Sequence, residues 1–176
     1  MSPAIERVVL VGFMASGKTC VGKLLAGRLG WGFGDFDEEI IRRVGLPIPE
    51  IFRQHGEAWF RELEGQVGNE LMLTDGVILA SGGGWPVVPG RMEKVDSSTL
   101  TVWLRVTPEE AVRRALKEGS TRPLLAVDDP VRTARTLLEH RAEFYGKAHL
   151  SLDSGQMEPE ELAREIEGYV NERRRF

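Results

Sequence analysis

The sequence predicts an α/β fold in which helices cover both faces of a mainly parallel sheet. Short apolar runs alternate with helical segments along the chain. Most of these runs are uniformly apolar, so neither face of the predicted strands is suited to water. No repeat, low-complexity segment or linker divides the 176 residues, and we therefore expect one domain over residues 1–176.

Five segments have the length and composition of strands. Each is a short run rich in apolar or β-branched residues, and Gly or polar residues bound the stronger ones. The predicted strands cover residues 7–11, 31–36, 77–80, 100–106 and 149–152, of which the second is the weakest.

The predicted helices are bounded by glycines and capping residues. Thr107 and Pro108 form the strongest start, with Glu110 at the capping-box position. Gly56 is expected to divide a short helix from a longer one. The helices are predicted at residues 21–29, 37–44, 48–55, 57–73, 89–95, 108–117, 130–145 and 159–173. The polar, proline-containing segment 120–129 is expected to be a mobile loop.

Composition excludes several classes of protein. The chain has 23 Lys and Arg against 27 Asp and Glu, a formal net charge of −4, which disfavours broad nucleic-acid binding. Cys20 is the single cysteine, so no internal disulfide can form and a reducing, cytoplasmic location is expected. No apolar run approaches the ~18 residues of a membrane helix, and the first residues do not form a secretory signal.

A phosphate-binding loop follows the first predicted strand. Residues 12–19 read Gly-Phe-Met-Ala-Ser-Gly-Lys-Thr and fit G-x-x-x-x-G-K-[ST] between a strand and a helix. The glycines let backbone N–H groups surround phosphate oxygens, and the helix N-terminus adds a positive dipole end. Lys18 can reach the terminal phosphates, and the Thr19 hydroxyl can bind Mg²⁺. Cys20 is expected to be a small core residue.

Ligands of parallel sheets bind beyond the carboxyl ends of the strands, so the residues there are the next candidates. Asp35 and Asp37 follow the second strand and would point to the same side of an extended backbone. They could hold a metal-bound water and a substrate hydroxyl, or Asp37 could simply cap a helix. Gly82–Gly84 follow the third strand and could allow a ligand to approach the backbone, or form an ordinary turn.

Arginines supply the remaining candidates. Arg61 could bind an anion or form a surface ion pair with Glu57 or Glu64. Arg122 could close over a transferring phosphate, or be a solvated loop residue. Arg141 is four residues before Tyr145 on one helix face and also has glutamates nearby. The histidines show no metal-ligand spacing.

The order of these motifs resembles the shikimate kinase family over nearly the whole chain. The motifs are Gly12–Thr19, Asp35-x-Asp37, Phe60-Arg61-x-x-Glu64, Gly82–Gly84, Arg122-Pro-Leu-Leu125 and Arg141-x-x-x-Tyr145. The resemblance implies transfer of the ATP γ-phosphoryl group, with Mg²⁺, to the 3-hydroxyl of shikimate in aromatic amino acid biosynthesis. It also implies a three-layer α/β/α P-loop kinase fold on a five-stranded parallel sheet, a lid near residues 118–130 and a monomer.

The resemblance also assigns roles. Asp37 would activate the acceptor hydroxyl, and Lys18 and Arg122 would contact the transferring phosphate. Thr19 and Asp35 would lie at Mg²⁺. The acceptor would meet Asp37, Arg61, Gly82, Gly83, Gly84 and Arg141. The nucleotide would meet Gly12, Ala15, Ser16, Gly17, Lys18, Thr19, Cys20, Arg114 and Arg122.

Three departures from the family pattern accompany these assignments. Ala15 replaces a common loop glycine, which we expect to be tolerated only if φ is not positive. Trp85 replaces a smaller residue and could crowd the acceptor pocket. Residues 146–148 replace a more acidic stretch.

Two other functions remain open. The chain could be a kinase for another carboxylated polyol, since an Arg pair with Asp37 does not single out shikimate. It could also be a non-catalytic nucleotide-binding relative, although intact Lys18, Thr19 and Arg122 argue against that.

Overall fold

The computed structural model describes residues 3–119 and 126–174. Within these residues, five strands form one parallel sheet in the order β2-β3-β1-β4-β5. The strands are β1 (Arg7–Val11), β2 (Gly32–Asp35), β3 (Val77–Ala80), β4 (Thr99–Arg105) and β5 (Leu150–Asp153). The predicted parallel sheet is confirmed, and each strand lies within one or two residues of its expected bounds.

The central strand β1 sets the position of the phosphate loop. Val8 pairs with Ile78 of β3 on one side and with Leu100 of β4 on the other. Every residue of β1 is buried, as expected for a strand covered on both faces. Because all strands run the same way, the segments after β1, β2 and β3 meet at one edge of the sheet.

In the described part of the chain, one or two α-helices follow every strand except β3. They are α1 (Lys18–Leu29), α2 (Phe36–Val44), α3 (Ile48–Leu71), α4 (Pro108–Lys117), α5 (Pro130–Tyr145) and α6 (Pro159–Arg174). Gly56 has φ 81° inside α3 and divides it where the sequence predicted a break. Thr107 caps α4 by accepting a hydrogen bond from the Glu110 N–H at 3.2 Å. None of the described helices is long and apolar enough to cross a bilayer.

The predicted helix at residues 89–95 is wrong. A short 3₁₀ turn at Trp85–Val87 is followed by turns as far as Lys94. Gly90 has φ 86°, a left-handed conformation that a right-handed helix cannot include. The segment therefore lies against α3, and its Arg91 side chain donates hydrogen bonds to that helix.

Helices pack on both faces of the sheet. Alternate side chains of β1 point to opposite faces, so Val8 and Leu10 join one cluster while Val9 and Val11 join another. The first cluster includes Val21 and Leu25 of α1 with Leu162 and Ile166 of α6. The second includes Phe36 and Ile40 of α2 with Ile51, Phe60 and Val67 of α3. This arrangement confirms the three-layer α/β/α fold.

A buried arginine joins strands at the amino edge of the sheet, opposite the phosphate loop. The Arg7 guanidinium donates to Thr99 Oγ1 at 3.0 Å and pairs with Asp75 at 2.5 Å and Asp96 at 2.6 Å. Its side chain is 7% exposed, whereas those of Asp75 and Asp96 are 66% and 55% exposed. Both carboxylates can therefore be hydrated if the arginine is removed.

We expect Arg7→Met to lower the free energy of unfolding by about 2 kcal/mol, below the ~3–5 kcal/mol of a fully buried broken pair. Urea unfolding measures the loss. The geometry of the phosphate loop should not change, because Arg7 lies at the opposite edge of the sheet. Unchanged stability would contradict the structural role given to Arg7.

Candidate active site

The phosphate loop has the backbone conformation that its glycines permit. Gly12 has φ 147° and Gly17 has φ 92°, both poorly accessible to other residues. A Cβ atom on Gly12 would lie 2.6 Å from the carbonyl oxygen of Leu104. Gly17 is the N-cap of α1 and offers no side-chain cap, so the first N–H groups of α1 can donate to an anion.

Lys18 lies across this loop. Its Nζ atom donates to the carbonyl oxygens of Gly12 and Phe13, each at 2.9 Å. The ammonium group is thus held within the curve of the loop, where the terminal phosphates of a nucleotide would lie. The contact of Lys18 with terminal phosphates stays a prediction.

The expectation for Ala15 is wrong, because its φ is 56°. This is the left-handed region, which alanine can enter at a cost of roughly 1–2 kcal/mol. Arg114 Nη1 donates to the Ala15 carbonyl at 3.3 Å and helps hold the loop in that conformation. The loop therefore keeps a glycine-like backbone without the glycine.

The side chains of Thr19 and Asp35 are in contact, and their role at Mg²⁺ stays a prediction. The Thr19 hydroxyl donates to Asp35 Oδ2 at 2.8 Å. The other oxygen of Asp35 accepts from the N–H groups of Asp37 at 2.9 Å and Glu38 at 3.2 Å. Asp35 is therefore the cap of α2, and the alternative in which Asp37 caps that helix is wrong.

The Thr19–Asp35 pair has the chemistry of a partial magnesium site. A hydroxyl and a carboxylate oxygen are hard ligands of the kind that Mg²⁺ prefers. Among the described residues, no group of three His, Cys, Asp or Glu side chains could hold a metal. Mg²⁺ is commonly held by one or two carboxylates, with phosphate oxygens and water completing its shell.

Asp37 lies in the first turn of α2, where the predicted helix at residues 37–44 places it, so it does not share an extended backbone with Asp35. Its position is nonetheless at the edge where β3 ends. A Cβ atom on Gly82 would lie 3.1 Å from Asp37 Oδ1 and 2.5 Å from Glu64 Oε2. Gly82 is therefore required by close approach, since a larger residue would displace both carboxylates.

Arg61 forms both ion pairs considered from sequence, with the exposed Glu57 at 3.6 Å and with Glu64, but the pair with Glu64 is buried and not on the surface. Its Nη1 atom lies 3.0 Å from Glu64 Oε1 and 3.1 Å from Oε2. The Glu64 side chain is 1% exposed and that of Arg61 is 22% exposed. Burial raises the pKa of the Glu64 carboxyl, and the charge of Arg61 opposes that shift.

The glycine run brings Arg61 and Arg141 together. A Cβ atom on Gly84 would overlap Arg61 Nη2, and one on Gly83 would lie 3.4 Å from Arg141 Nη1. Tyr145 donates its hydroxyl hydrogen to the Gly83 carbonyl at 2.6 Å. Burial raises the pKa of Tyr145, which keeps the phenol protonated as a donor. Two guanidinium groups distant in sequence thus lie along one stretch of backbone, suited to a carboxylate.

A cavity of about 660 Å³ opens beside the phosphate loop. Ser16 and Gly17 line it on one side and Arg114 on the other. Arg114 Nη2 donates to the Ser154 carbonyl at 2.6 Å. The cavity also includes residues 154–159, which the sequence analysis missed. Their position after β5, at the same edge of the sheet, was the signal that could have identified them.

The remaining predicted residues have different outcomes. Cys20 is exposed, so its prediction as a core residue is wrong; it does not line the cavity beside the loop. Arg122 and the rest of residues 120–125 of the predicted lid lie outside the described residues. Trp85 is 1% exposed, and its ring packs edge-on against Phe36 at 5.6 Å, which places the indole in the core.

Comparison with known proteins gives a consistent result. A family model described as shikimate kinase matches residues 14–170. A shikimate kinase of Moorella thermoacetica is 40% identical over 160 residues, which is 91% of each chain. A shikimate kinase of Thermus thermophilus is 40% identical over 90% of this chain and 86% of its own length.

Solved structures agree with the sequence relatives. The shikimate kinase from Acinetobacter baumannii in complex with shikimate has a TM-score of 0.88 and 36% identity, with 96% of this chain and 94% of that chain covered. A gluconokinase from Sinorhizobium meliloti has a TM-score of 0.62 and 20% identity over 97% and 93% of the two chains, which shows a shared fold. The loop geometry, the paired arginines at the glycine run and these matches together show that the chain belongs to the shikimate kinase family.

Proposed function

We propose that the protein transfers the γ-phosphoryl group of ATP to the 3-hydroxyl of shikimate, giving shikimate 3-phosphate and ADP. The observation that carries the proposal is the meeting of three features at one edge of the sheet. These are the phosphate loop, the Asp37 carboxylate, and the Arg61–Arg141 pair along Gly83 and Gly84. The family's reaction requires such a combination of a nucleotide site and a site for a carboxylated polyol.

ATP would bind with its phosphates in the loop and its nucleoside in the adjoining cavity. Loop N–H groups and Lys18 would meet the phosphate oxygens. Ser16, Gly17 and Arg114 line the cavity beside the loop. Its volume of about 660 Å³ is within the range of small-molecule sites. Cys20 and Arg122 remain predictions at this site.

Thr19 and Asp35 would hold Mg²⁺ at the phosphates. When bound, the ion would neutralise charge on the phosphate oxygens as the phosphoryl group moves. The 2.8 Å hydrogen bond between the two side chains keeps both oxygens at one point beside the loop. The backbone N–H groups that bind the other Asp35 oxygen hold its carboxylate in a fixed orientation.

Shikimate would bind with its carboxylate between Arg61 and Arg141. Forked guanidinium groups give strong, directional hydrogen bonds to a carboxylate. The lack of side chains at Gly82, Gly83 and Gly84 lets Asp37, Arg141 and Arg61 approach this backbone, so these groups would surround the acceptor. Asp37 would then lie at the reacting hydroxyl.

Asp37 would orient this hydroxyl and accept its proton. The acceptor oxygen forms a bond to the γ-phosphorus, the bond from that phosphorus to the β–γ bridging oxygen breaks, and ADP leaves. Because the transition state needs positioning and charge neutralisation more than covalent chemistry, Lys18 and Asp37 are the groups of greatest effect.

The proposal needs one copy of the chain, because all the residues named here belong to it. We therefore propose a monomer. We also place it in the cytoplasm, where ATP is available for biosynthesis.

Arg61→Ala and Arg141→Ala are each expected to raise the shikimate KM by about tenfold or more, because a charge-assisted contact is worth roughly 1.5–3 kcal/mol. The ATP KM should change little. Arg53→Ala is the matched control, since Arg53 is on the same helix as Arg61 but is 71% exposed and pairs with Glu50. An unchanged shikimate KM in both variants would remove the carboxylate site.

The proposal is tested by ADP release from MgATP with and without shikimate, followed by a panel of carboxylated polyols that includes gluconate. We expect strong ADP release from MgATP with shikimate and with no other member of the panel. Release with another member of the panel, and none with shikimate, would favour the alternative acceptor. Nucleotide binding without release for any acceptor would favour a non-catalytic protein.

A further inference from the structure

Arg91 bridges the two segments that form the acceptor site. Its Nη1 atom donates to Glu64 Oε1 at 3.2 Å and to the Trp85 carbonyl at 3.3 Å. Its Nη2 atom donates to the backbone carbonyl of Arg61. Arg91 thus joins α3 to the turn after the glycine run, and no motif in the sequence analysis includes it.

The contacts of Arg91 affect the charge around Arg61. Glu64 is a buried carboxylate, and it receives hydrogen bonds from both Arg61 and Arg91. A buried carboxylate with one cationic partner holds that partner strongly, because its charge is otherwise uncompensated. Arg61 Nη2 also lies 3.6 Å from Oε1 of Glu57, but that side chain is 71% exposed and water weakens the pair. Arg91 supplies part of the positive charge and one of the hydrogen bonds that the buried Glu64 carboxylate needs. Arg61 therefore keeps charge and N–H donors for a ligand.

The two guanidinium groups are also held in place by glycines. A Cβ atom on Gly65 of α3 would lie 2.8 Å from Arg91 Nη2, and one on Gly84 would overlap Arg61 Nη2. Each guanidinium is therefore packed directly against backbone. The Arg91 side chain is 16% exposed, so most of it is buried.

We propose that Arg91 is a positioning residue for the acceptor: it shares Glu64 with Arg61 and fixes the Arg61 backbone, so that Arg61 presents its remaining donors to the substrate carboxylate. The inference rests on the proposed function. A lysine could not replace Arg91 fully, since a single ammonium lacks the planar fork that reaches separated acceptors.

The test is a double-mutant cycle in which the kinetics of shikimate-dependent ADP release are measured. Arg91→Met should raise the shikimate KM by about tenfold, with kcat and the ATP KM within about twofold of the parent protein. Arg91→Lys should give an intermediate KM. In an Arg61→Ala background, Arg91→Met should add less than about twofold, because Arg91 acts through Arg61.

Arg7→Met is the matched control, because it removes a buried, ion-paired arginine at the opposite edge of the sheet. It should lower stability without raising the shikimate KM. An equal rise in KM for Arg7→Met would show that destabilisation alone explains the effect, and would overturn the inference.

Two other results would overturn it: an unchanged shikimate KM in folded Arg91→Met, or effects of Arg61→Ala and Arg91→Met that multiply. If urea unfolding shows that Arg91→Met does not fold, the shikimate KM is measured in the same cycle with Arg91→Lys, and the same criteria apply. Failure of the proposed function is seen separately, as absence of shikimate-dependent ADP release from the parent protein.

Discussion

Lys18→Ala is expected to lower kcat by about 10³-fold or more, because removal of a single preorganised charge at a transition state costs roughly 10²–10³ and Lys18 also orders the loop. The ammonium lies 2.9 Å from the carbonyl oxygens of Gly12 and Phe13, at the centre of the phosphate loop. Initial rates at saturating ATP and shikimate measure the loss.

Lys23→Ala provides the control for this prediction. Lys23 is on the same helix, its side chain is 59% exposed, and it lies 4.0 Å from Glu38. It should retain parent activity. Substantial kcat in Lys18→Ala, with ATP saturation confirmed, would show that the phosphate loop does not place Lys18 at the transferring group.

Asp37→Asn is expected to lower kcat by about 10²–10⁴-fold, the range for loss of a general base. Asparagine has nearly the same shape and can still accept a hydrogen bond from the substrate, but it cannot take the proton. The dissociation constant of shikimate, measured by calorimetry, should therefore rise far less than kcat falls.

Glu38→Gln is the matched change for Asp37→Asn. Glu38 is the next residue of α2, and its side chain is 64% exposed. Loss of its negative charge should leave kcat unchanged. If Asp37→Asn instead keeps near-parent kcat, Asp37 does not accept the proton and its assigned role is wrong.

Much of the fold could be predicted because local pattern and global structure agree. The apolar run Arg7–Val11 forms the central strand, and the Thr107–Pro108 start and the Gly56 break occur where predicted. The failure at residues 89–95 has a local cause, the positive φ of Gly90. The spacing of apolar residues does not reveal that dihedral angle, because contacts with α3 determine the conformation of this segment.

The candidate site was less predictable where its contacts join distant segments. Thr19 was singled out by the phosphate-loop motif, and Asp35 by its place at the carboxyl end of the second strand. Arg91 and Glu64 are 27 residues apart and meet only through tertiary packing. For the same reason Arg61 looked like a surface residue, since its spacing from Glu57 and Glu64 does not reveal that Glu64 is buried.

Ala15 and Cys20 show two further limits of sequence analysis. The left-handed backbone at Ala15 is imposed by the loop as a whole, with Arg114 bonding its carbonyl. The preference of alanine for negative φ does not prevent this conformation. Cys20 is apolar enough for a core, but its position on α1 turns it to the surface.

Identification of the product tests the central claim most directly. Shikimate and MgATP are incubated with the protein, and the phosphorylated product is analysed by phosphorus–proton correlation NMR. The account predicts one phosphoester per ADP released, with the phosphorus coupled to the proton on C3 of the shikimate ring. Coupling to the proton on C4 or C5, or ADP accompanied by inorganic phosphate and no phosphoester, would contradict it.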